Sequence, residues 1–401
     1  MPERDALWHS SNMLQRLPPL HAWSSALIAT VVGFGGTIAL VVQAMRALGA
    51  SVEQTGSAVT ALCLGFAVGG IALSLKTRIP VVLAWSTPGA ALLAATPPGI
   101  TWPTAIAIFL VASALMIVLG LVPVLGRLAA RIPASVASAM LAGVLLPFCL
   151  AAFKLGTSDW LLLALTVGVF IVARRRVPLY ALLLVLIVAI SLALVRGDVS
   201  RPPPGALFGQ LLPTMPAGDI AAIIGLAVPL FLVTLVSQNL PGLIVLRTAG
   251  YEPDPRLLIT SAGTLSLLLA PFGAHAVNLA AITAALCTSP EAHPDRTKRW
   301  TVAVIYAGYY LLLAIFSPAL VRLFLALPHA VIAVITGLAL IPALVSSAEN
   351  MLATKDERDA AILTFLATAS GLVLFGLGSA FWGLVLGFLA LGAKKLWRPV
   401  S

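Results

Sequence analysis

Long apolar runs recur along the whole chain, and they restrict the possible fold more than any other feature. The charged residues stand in short loops between these runs or at their ends, and no Asp, Glu, Lys or Arg is expected in the middle of a span. Only 9% of the residues are charged, whereas soluble domains carry about 25%. Because a bilayer offers the backbone no hydrogen-bond partner, these runs must pair their own N–H and C=O groups as helices. The sequence therefore predicts an all-α integral membrane protein.

Fourteen membrane segments are predicted, seven on each side of a proline-rich joint at 197–218. The first repeat is predicted to cover 1–196 and the second 219–401. The predicted spans lie near 23–46, 57–75, 81–96, 103–125, 133–152, 158–173, 178–195, 219–246, 256–271, 275–289, 299–322, 328–346, 358–376 and 379–396. The third and the tenth are too short to cross a hydrocarbon core of about 30 Å, which needs roughly 20 helical residues.

The basic residues favour one side of the membrane. The net charge of +10 would suit nucleic-acid binding, but these charges are divided among short loops beside apolar spans. With the amino terminus in the cytoplasm, the predicted inside loops hold 19 of the 24 Lys and Arg residues, as the positive-inside rule expects. We therefore expect no nucleic-acid partner and a multi-pass protein of a bacterial-type inner membrane, with both termini cytoplasmic. No apolar core of a cleavable signal peptide precedes the first span.

The third segment, PVVLAWSTPGAALLAA at 80–95, does not read as one continuous helix. Its start is strand-like, and Ser86 or Thr87 then caps a short helix with a proline in its first turn. The tenth segment, PFGAHAVNLAAITAALC at 271–287, has the same character, with Asn278 answering Thr87 as the capping residue. The amino ends of such half-helices attract anions, and two interrupted segments in corresponding halves point to the binding site of a transporter.

An internal repeat relates the two halves. Pro133 and Pro328, Pro147 and Pro342, and Gln43 and Gln238 each stand 195 positions apart. Because each half holds an odd number of predicted helices, the two halves must be inverted relative to each other across the membrane. Inverted repeats with a site at their interface are a transporter architecture.

Several stretches resemble the benzoate/proton symporter (BenE) family. They are IPVVLAWSTPGAALL at 79–93, PLFLVTLVSQNLPG at 229–242, the PFG and SPEAHPD stretches within 271–295, ERDAAILTFLATASGL at 357–372 and GLGSAFWGL at 376–384. The resemblance implies the seven-plus-seven inverted-repeat fold of uracil and xanthine permeases, in which segments 3 and 10 begin as short strands. It implies a core domain of segments 1–4 and 8–11, a gate domain of segments 5–7 and 12–14, and a homodimer formed through the gate domain. It also implies import of benzoate or a related aromatic carboxylate with protons, by alternating access.

One departure from the wider fold concerns acidic residues. The related uracil permeases use glutamates on helices 8 and 10, where this chain has Gln238, Asn239 and Asn278. Intramembrane carboxylates are the usual proton relays, so coupling through a core carboxylate is not expected. Their absence suits an anionic substrate, because a buried glutamate beside a bound carboxylate would repel it.

The candidate substrate residues are polar groups and rings near the two interrupted segments. We expect Ser86, Thr87 and Asn278 to hold the carboxylate, for which simple helix capping is the alternative role of the first two. Gln43, Gln238 and Asn239 would add polar contacts, unless they only join helices to each other. The rings expected to face the substrate, or otherwise to pack in the core or against lipid, are Trp85, Phe34, Phe231 and Phe272.

His275 is the candidate for proton coupling, since histidine ordinarily titrates near 6.5. Its alternative is a structural polar role near the membrane interface. His293 and His329 lie at span ends, where loop structure and capping are the expected roles. If the protonated acid carries its own proton, no relay residue is needed.

Other functions remain open on the sequence alone. The same fold could serve a permease for nucleobases or an exchanger of inorganic anions, although the missing glutamates disfavour nucleobases. A passive anion channel is a further class. We expect no enzyme, since no nucleophile, histidine and acid form a catalytic set, and no cofactor. The three cysteines match no metal site, so no metal is expected.

Overall fold

The computed structural model describes residues 18–122, 133–218 and 220–396. The predicted cytoplasmic placement of both termini concerns residues outside these ranges. So do some of the predicted loop charges, namely Glu3, Arg4, Asp5, Arg16, Arg127, Arg131, Asp219 and Arg398.

The first half is a succession of helices interrupted by one short strand. Its elements are α1 (Leu20–Gly35), α2 (Ile38–Ala47), α3 (Val52–Thr77), β1 (Leu83–Ala84), α4 (Thr87–Ala94), α5 (Trp102–Leu121), α6 (Ala134–Lys154), α7 (Trp160–Arg176) and α8 (Ala181–Arg196). The capping box of Ser51 and Gln54 starts α3, and the side chain of Thr101 caps α5.

The second half repeats this order. Its elements are α9 (Ile220–Thr234), α10 (Leu240–Thr248), α11 (Pro255–Leu269), β2 (Asn278–Leu279), α12 (Ile282–Thr288), α13 (Trp300–Leu325), α14 (His329–Leu352), α15 (Arg358–Ala369) and α16 (Ser379–Leu396). A π-helical turn, Leu235–Asn239, joins α9 to α10.

Each predicted span corresponds to one or two of these elements, but their lengths differ. Within the described residues, eight helical stretches are long and apolar enough to cross a membrane. The thirteenth predicted span, 358–376, is wrong at its carboxyl end, because α15 stops at Ala369. Gly371 and Gly376 follow with φ of +70° and +76°, left-handed values that end a helix.

The predicted short strands and half-helices of the third and tenth segments are confirmed. Leu83 pairs with Leu279 and Ala84 with Asn278 in an antiparallel ladder, and α4 and α12 follow with 8 and 7 residues. Both elements of the second half start 195 positions after their counterparts, so the repeat keeps its register through the strands. These two strands meet in the protein interior, where each supplies hydrogen bonds that the bilayer cannot.

A serine on the preceding helix holds each strand in place. Ser74 Oγ of α3 accepts a hydrogen bond from Val81 N–H at 3.1 Å and donates to Val81 C=O at 3.2 Å. Ser266 Oγ of α11 accepts from Val277 N–H at 2.7 Å and lies 3.2 Å from Val277 C=O. Both serines are buried, so each satisfies strand groups that water cannot reach.

Helices of the two halves pack against each other in pairs: α3 with α13, α5 with α11 and α6 with α14. In chain order α3 corresponds to α11, α5 to α13 and α6 to α14, so only the last pair joins counterparts and the first two pairs are exchanged between the halves. The contact of α5 and α11 is close enough that a Cβ built at Gly120 would lie 2.9 Å from the backbone nitrogen of Thr260. A separate buried cluster joins α7, α8 and α14 through residues such as Phe170, Val185 and Val334. The division into core and gate domains stays a prediction.

Ser266→Ala should lower the stability of the strand pair. The substitution leaves the buried N–H of Val277 without its acceptor, and such a loss costs about 1–3 kcal/mol. We expect a lower thermal unfolding temperature of the purified protein in detergent. Ser113→Ala is the matched control, because the buried Ser113 hydroxyl bonds only to Phe109 C=O of its own helix. Equal unfolding temperatures for the two variants would contradict the proposed role of Ser266.

Candidate substrate site

Ser86 caps α4 at the centre of the candidate site. Its Oγ accepts a hydrogen bond from Gly89 N–H at 2.9 Å, and its C=O accepts from Ala90 N–H at 2.8 Å. Pro88 has no N–H to offer. Ser86 therefore uses most of the free donors of this helix end, and Thr87, which is half-buried as the first residue of α4, is left beside the gap. Capping is thus the observed role of Ser86.

Asn278 does not cap the second half-helix, which corrects the predicted pairing with Thr87. It lies in β2 opposite Ala84, and the residue before α12 is Ala281, which has no side-chain cap. At the offset of 195, Ala281 answers Ser86 and Asn278 answers Leu83. The side chain of Asn278 is 1% exposed, and its Nδ2 has no hydrogen-bond partner. An unpaired buried donor is costly unless a ligand uses it.

Asn239 fixes the orientation of Asn278. Its Nδ2 donates to Asn278 Oδ1 at 2.9 Å and to Thr234 C=O at 3.3 Å, and its Oδ1 accepts from Leu279 N–H at 3.0 Å. Asn239 itself is fully buried at the end of the π-helical turn. The predicted interhelical role is therefore observed for Asn239, which leaves only the Nδ2 donor of Asn278 free.

His275 lies beside the same strands. Its ring is 1% exposed, and neither nitrogen makes a hydrogen bond of normal geometry. The backbone of Ser86 is near enough to interact with it, and the Phe109 ring packs edge-on with centroids 6.3 Å apart. His275 of the second half therefore reaches Ser86 of the first half, across the gap between the interrupted segments.

Trp85 and Phe34 form one aromatic wall. Their ring centroids are 5.5 Å apart, and Phe66, which the sequence did not single out, lies 5.8 Å from Trp85. Trp85 Nε1 donates to Thr37 Oγ1 at 2.8 Å, which ties the third segment to the break between α1 and α2.

The other two predicted rings stand apart from this wall. Phe231 and Phe272 are half-buried, and in the described part of the chain neither pairs with another ring. Phe272 lies in a 3-10 turn whose C=O accepts a hydrogen bond from Ser57 of α3. The structure therefore does not bring these rings together with Trp85.

A cavity of about 1000 Å³ lies next to the site rather than in it. It is bounded by α2, the end of α4, the loop that follows α4, the start of α9, and the helices α6, α14, α15 and α16. Gln43 lines this cavity with a buried Oε1 that has no partner. Ser86, Thr87 and Asn278 do not line it, and Gln238 is half-buried in the π-helical turn away from it. Of the predicted residues, Ser86, Thr87 and Asn278 therefore lie at the closed gap between the interrupted segments, and Gln43 lies in the adjoining cavity.

The interior holds almost no formal charge. Among the described residues no Asp, Glu or Lys side chain is buried, and the buried arginine is Arg299. Its guanidinium donates to Thr288 C=O at 2.7 Å, at the carboxyl end of α12, and to His293 C=O at 2.8 Å. A cation at that end offsets the negative pole of the half-helix.

Sequence reasoning missed a group of buried hydroxyls near β1, contributed by Tyr306, Tyr310 and Thr283. Tyr306 OH donates to Leu83 C=O at 3.2 Å, and a Cβ built at Gly33 would lie 3.2 Å from Tyr310 OH and 3.1 Å from Thr283 Cγ2. Two tyrosines four residues apart within an apolar span were the available signal, because buried tyrosines need a partner for their hydroxyls.

Comparison with known proteins decides the family. The model of the benzoate membrane transport protein (BenE) family matches residues 18–392. The chain belongs to this family. A member named benzoate membrane transport protein, from Acinetobacter baylyi, is 33% identical over 92% of this chain and 94% of its own length. Inner membrane protein YdcO of Escherichia coli is 40% identical over 90% of this chain and 93% of its own length. As a BenE family member, the chain is a multi-pass inner-membrane transport protein and not an enzyme.

Solved structures agree on the fold. The transmembrane domain of the cyanobacterial bicarbonate transporter BicA matches with a TM-score of 0.59 at 16% identity, over 91% of this chain and 97% of that chain. SLC26A9 matches with a TM-score of 0.60 at 14% identity, over 93% of this chain and 66% of that chain. At these identities the likeness shows the inverted-repeat fold alone, which confirms the predicted fold class.

Asn239→Ala should lower the stability of the folded protein, because Asn239 joins the π-helical turn to β2. The substitution leaves the buried Leu279 N–H and Asn278 Oδ1 without their partner, and each loss costs about 1–3 kcal/mol. We expect a clear drop in thermal unfolding temperature. Ser237→Ala is the control in the same π-helical turn, because the Ser237 hydroxyl bonds only to the local Val233 C=O. The role given to Asn239 is wrong if both variants unfold alike.

Proposed function

We propose that this protein imports benzoate or a closely related aromatic carboxylate across the inner membrane, with protons, by alternating access. The carboxylate binds beside the paired strands, between Asn278 of β2 and the amino end of α4, and the ring faces Trp85 and Phe34. The observation that carries the proposal is the free Nδ2 donor of Asn278, which is buried opposite Ala84 in the strand pair and fixed by Asn239.

The electrostatics of the gap suit an anion held without a formal counter-charge. No buried carboxylate in the described residues would repel it. Asn278 Nδ2 and Thr87 at the positive end of α4 supply donors, and such donors stabilise a carboxylate strongly in a medium of low dielectric constant. The family and its relative named for benzoate support this substrate class.

Access to the gap requires movement. Ser86, Asn278 and His275 are each at most 1% exposed, and the large cavity stops at Gln43 and the end of α4. The cavity is lined by the loops after α4 and after α15, which the predicted topology places outside the cell. Displacement of the core helices against the gate helices would connect this outer cavity with the gap. The homodimer through the gate domain stays a prediction.

Purified protein should bind benzoate in preference to uracil and sulfate. Isothermal calorimetry with the three ligands separates the aromatic carboxylate from the nucleobase and inorganic-anion alternatives. Proteoliposomes preloaded with unlabelled benzoate should then show counterflow of labelled benzoate, which a channel does not support. Binding of sulfate or uracil alone, or flux without counterflow, would overturn the proposed function.

Asn278→Ala should weaken benzoate binding about 10- to 100-fold. The reason is the loss of one hydrogen bond to a charged group, which contributes about 1.5–3 kcal/mol. Asn278→Asp should bind still more weakly, because it places a second carboxylate in the gap. Asn350→Ala, at the exposed end of α14, is the control in the same calorimetric titration. Unchanged affinity in Asn278→Ala removes this residue from the site.

His275→Gln should uncouple transport from protons. The variant keeps a polar side chain but cannot accept a proton near neutral pH, so accumulation driven by a pH gradient should disappear while counterflow of benzoate continues. Both are measured in the same proteoliposomes, with the exposed His21→Gln as control. Gradient-driven accumulation that survives in His275→Gln would show that the substrate acid carries the proton itself.

A further inference from the structure

The outer cavity carries an ordered stripe on α14. His329, Ile332, Ala333 and Thr336 all line it, at spacings of three, four and seven residues that place them on one helix face. His329 is exposed as the first residue of α14, and Thr336 lies two turns deeper, roughly 10 Å along the axis. The stripe therefore runs from the mouth of the cavity inward.

The hydroxyl of Thr336 is not used by the protein. Thr336 is 3% exposed, and its Oγ1 has no hydrogen-bond partner. Buried threonines in the other helices usually donate to the C=O four residues earlier, as Thr30, Thr60, Thr166 and Thr364 do. Thr368 also lines the cavity with an unpaired Oγ1, but that atom fills the space beside Gly383 of α16. Of these two threonines, only Thr336 has a free hydroxyl donor that does not also fill the space beside a neighbouring helix.

His329 is the one ionisable residue among the described residues that line the cavity. The charged groups at the nearby ends of the helices packed on α14 are Arg46, Lys154, Asp159, Arg196 and, beyond α8, Asp198, and none of them lines it. Asp159 and Arg196 form a salt bridge at 2.7 Å, and this hydrogen bond lowers the pKa of Asp159. A charged substitution at His329 therefore changes the charge of the cavity lining without touching another lining charge.

We propose that this stripe is an entry site for the substrate anion, an inference that rests on the proposed function. His329 lies at the mouth of the cavity, where its ring N–H donates to the carboxylate, and Thr336 donates a hydrogen bond to it on the way to Gln43. Imidazole N–H and hydroxyl groups are both donors that a carboxylate accepts.

The test is benzoate counterflow in proteoliposomes with the same pH on both sides, so that no gradient drives transport. His329→Glu, which places a negative charge at the mouth of the cavity, should raise the KM for benzoate about two- to fivefold, the size expected for a single exposed charge. His329→Arg, which places a positive charge there, should lower the KM by a similar factor. The exposed His21→Glu is the control and should keep the wild-type KM.

Thr336→Val gives a second, independent readout. This variant keeps the shape of the side chain and removes its hydroxyl, so the KM for benzoate should rise about tenfold. Thr30→Val, in which a buried helical hydroxyl with a local partner is lost, is its control and should leave KM unchanged.

The counterflow results distinguish a wrong entry site from a wrong proposed function. Counterflow in the wild type with an unchanged KM in His329→Glu, His329→Arg and Thr336→Val would overturn the entry site and leave the proposed function standing. Absence of benzoate counterflow in the wild type would overturn both.

Discussion

The pairing of β1 with β2 is the interaction on which the rest of this structure depends. Four residues form the ladder, and they stand where a plain helix would otherwise cross the bilayer. A broken helix at this depth leaves backbone groups that lipid cannot satisfy, so each strand needs the other. Ser74 and Ser266 complete the arrangement from the preceding helices. Because the two halves supply one strand each, neither half can form this centre alone.

The repeat is symmetric in its backbone and asymmetric in its side chains. At the offset of 195, Ser86 aligns in sequence with Ala281, and Leu83 aligns with Asn278. The first half therefore contributes a capped helix end, while the second contributes the free amide of Asn278 and the imidazole of His275. This asymmetry lets a two-fold framework hold a substrate that has one polar end and one apolar end. The aromatic wall of Trp85 and Phe34 lies on the side of the first half.

Under the proposed function, the closed gap and the outer cavity are two parts of one path. Buried polar atoms without partners are found in both: Asn278 Nδ2 and the His275 nitrogens in the gap, and Gln43 Oε1 and Thr336 Oγ1 in the cavity. An apolar protein interior tolerates few such atoms, because each costs free energy unless a ligand or water satisfies it. Their distribution indicates where a polar guest travels, and the helices that separate the two parts are those expected to move.

The sequence by itself determined the membrane class, the inverted repeat and the interruption of the third and tenth segments. Hydrophobic length, charge placement and Pro or Ser at a helix start are local signals, so they are readable without coordinates. It also selected Ser86, Asn278 and Asn239 as residues of interest. Their roles depended on tertiary structure, since a side chain's partner is set by contacts between distant segments. Only the fold showed that Ser86 consumes its own helix donors, that Asn239 fixes Asn278, and that Phe272 lies apart. Only the packing of α14 against distant helices placed His329, predicted as a residue at a span end, in the lining of a cavity.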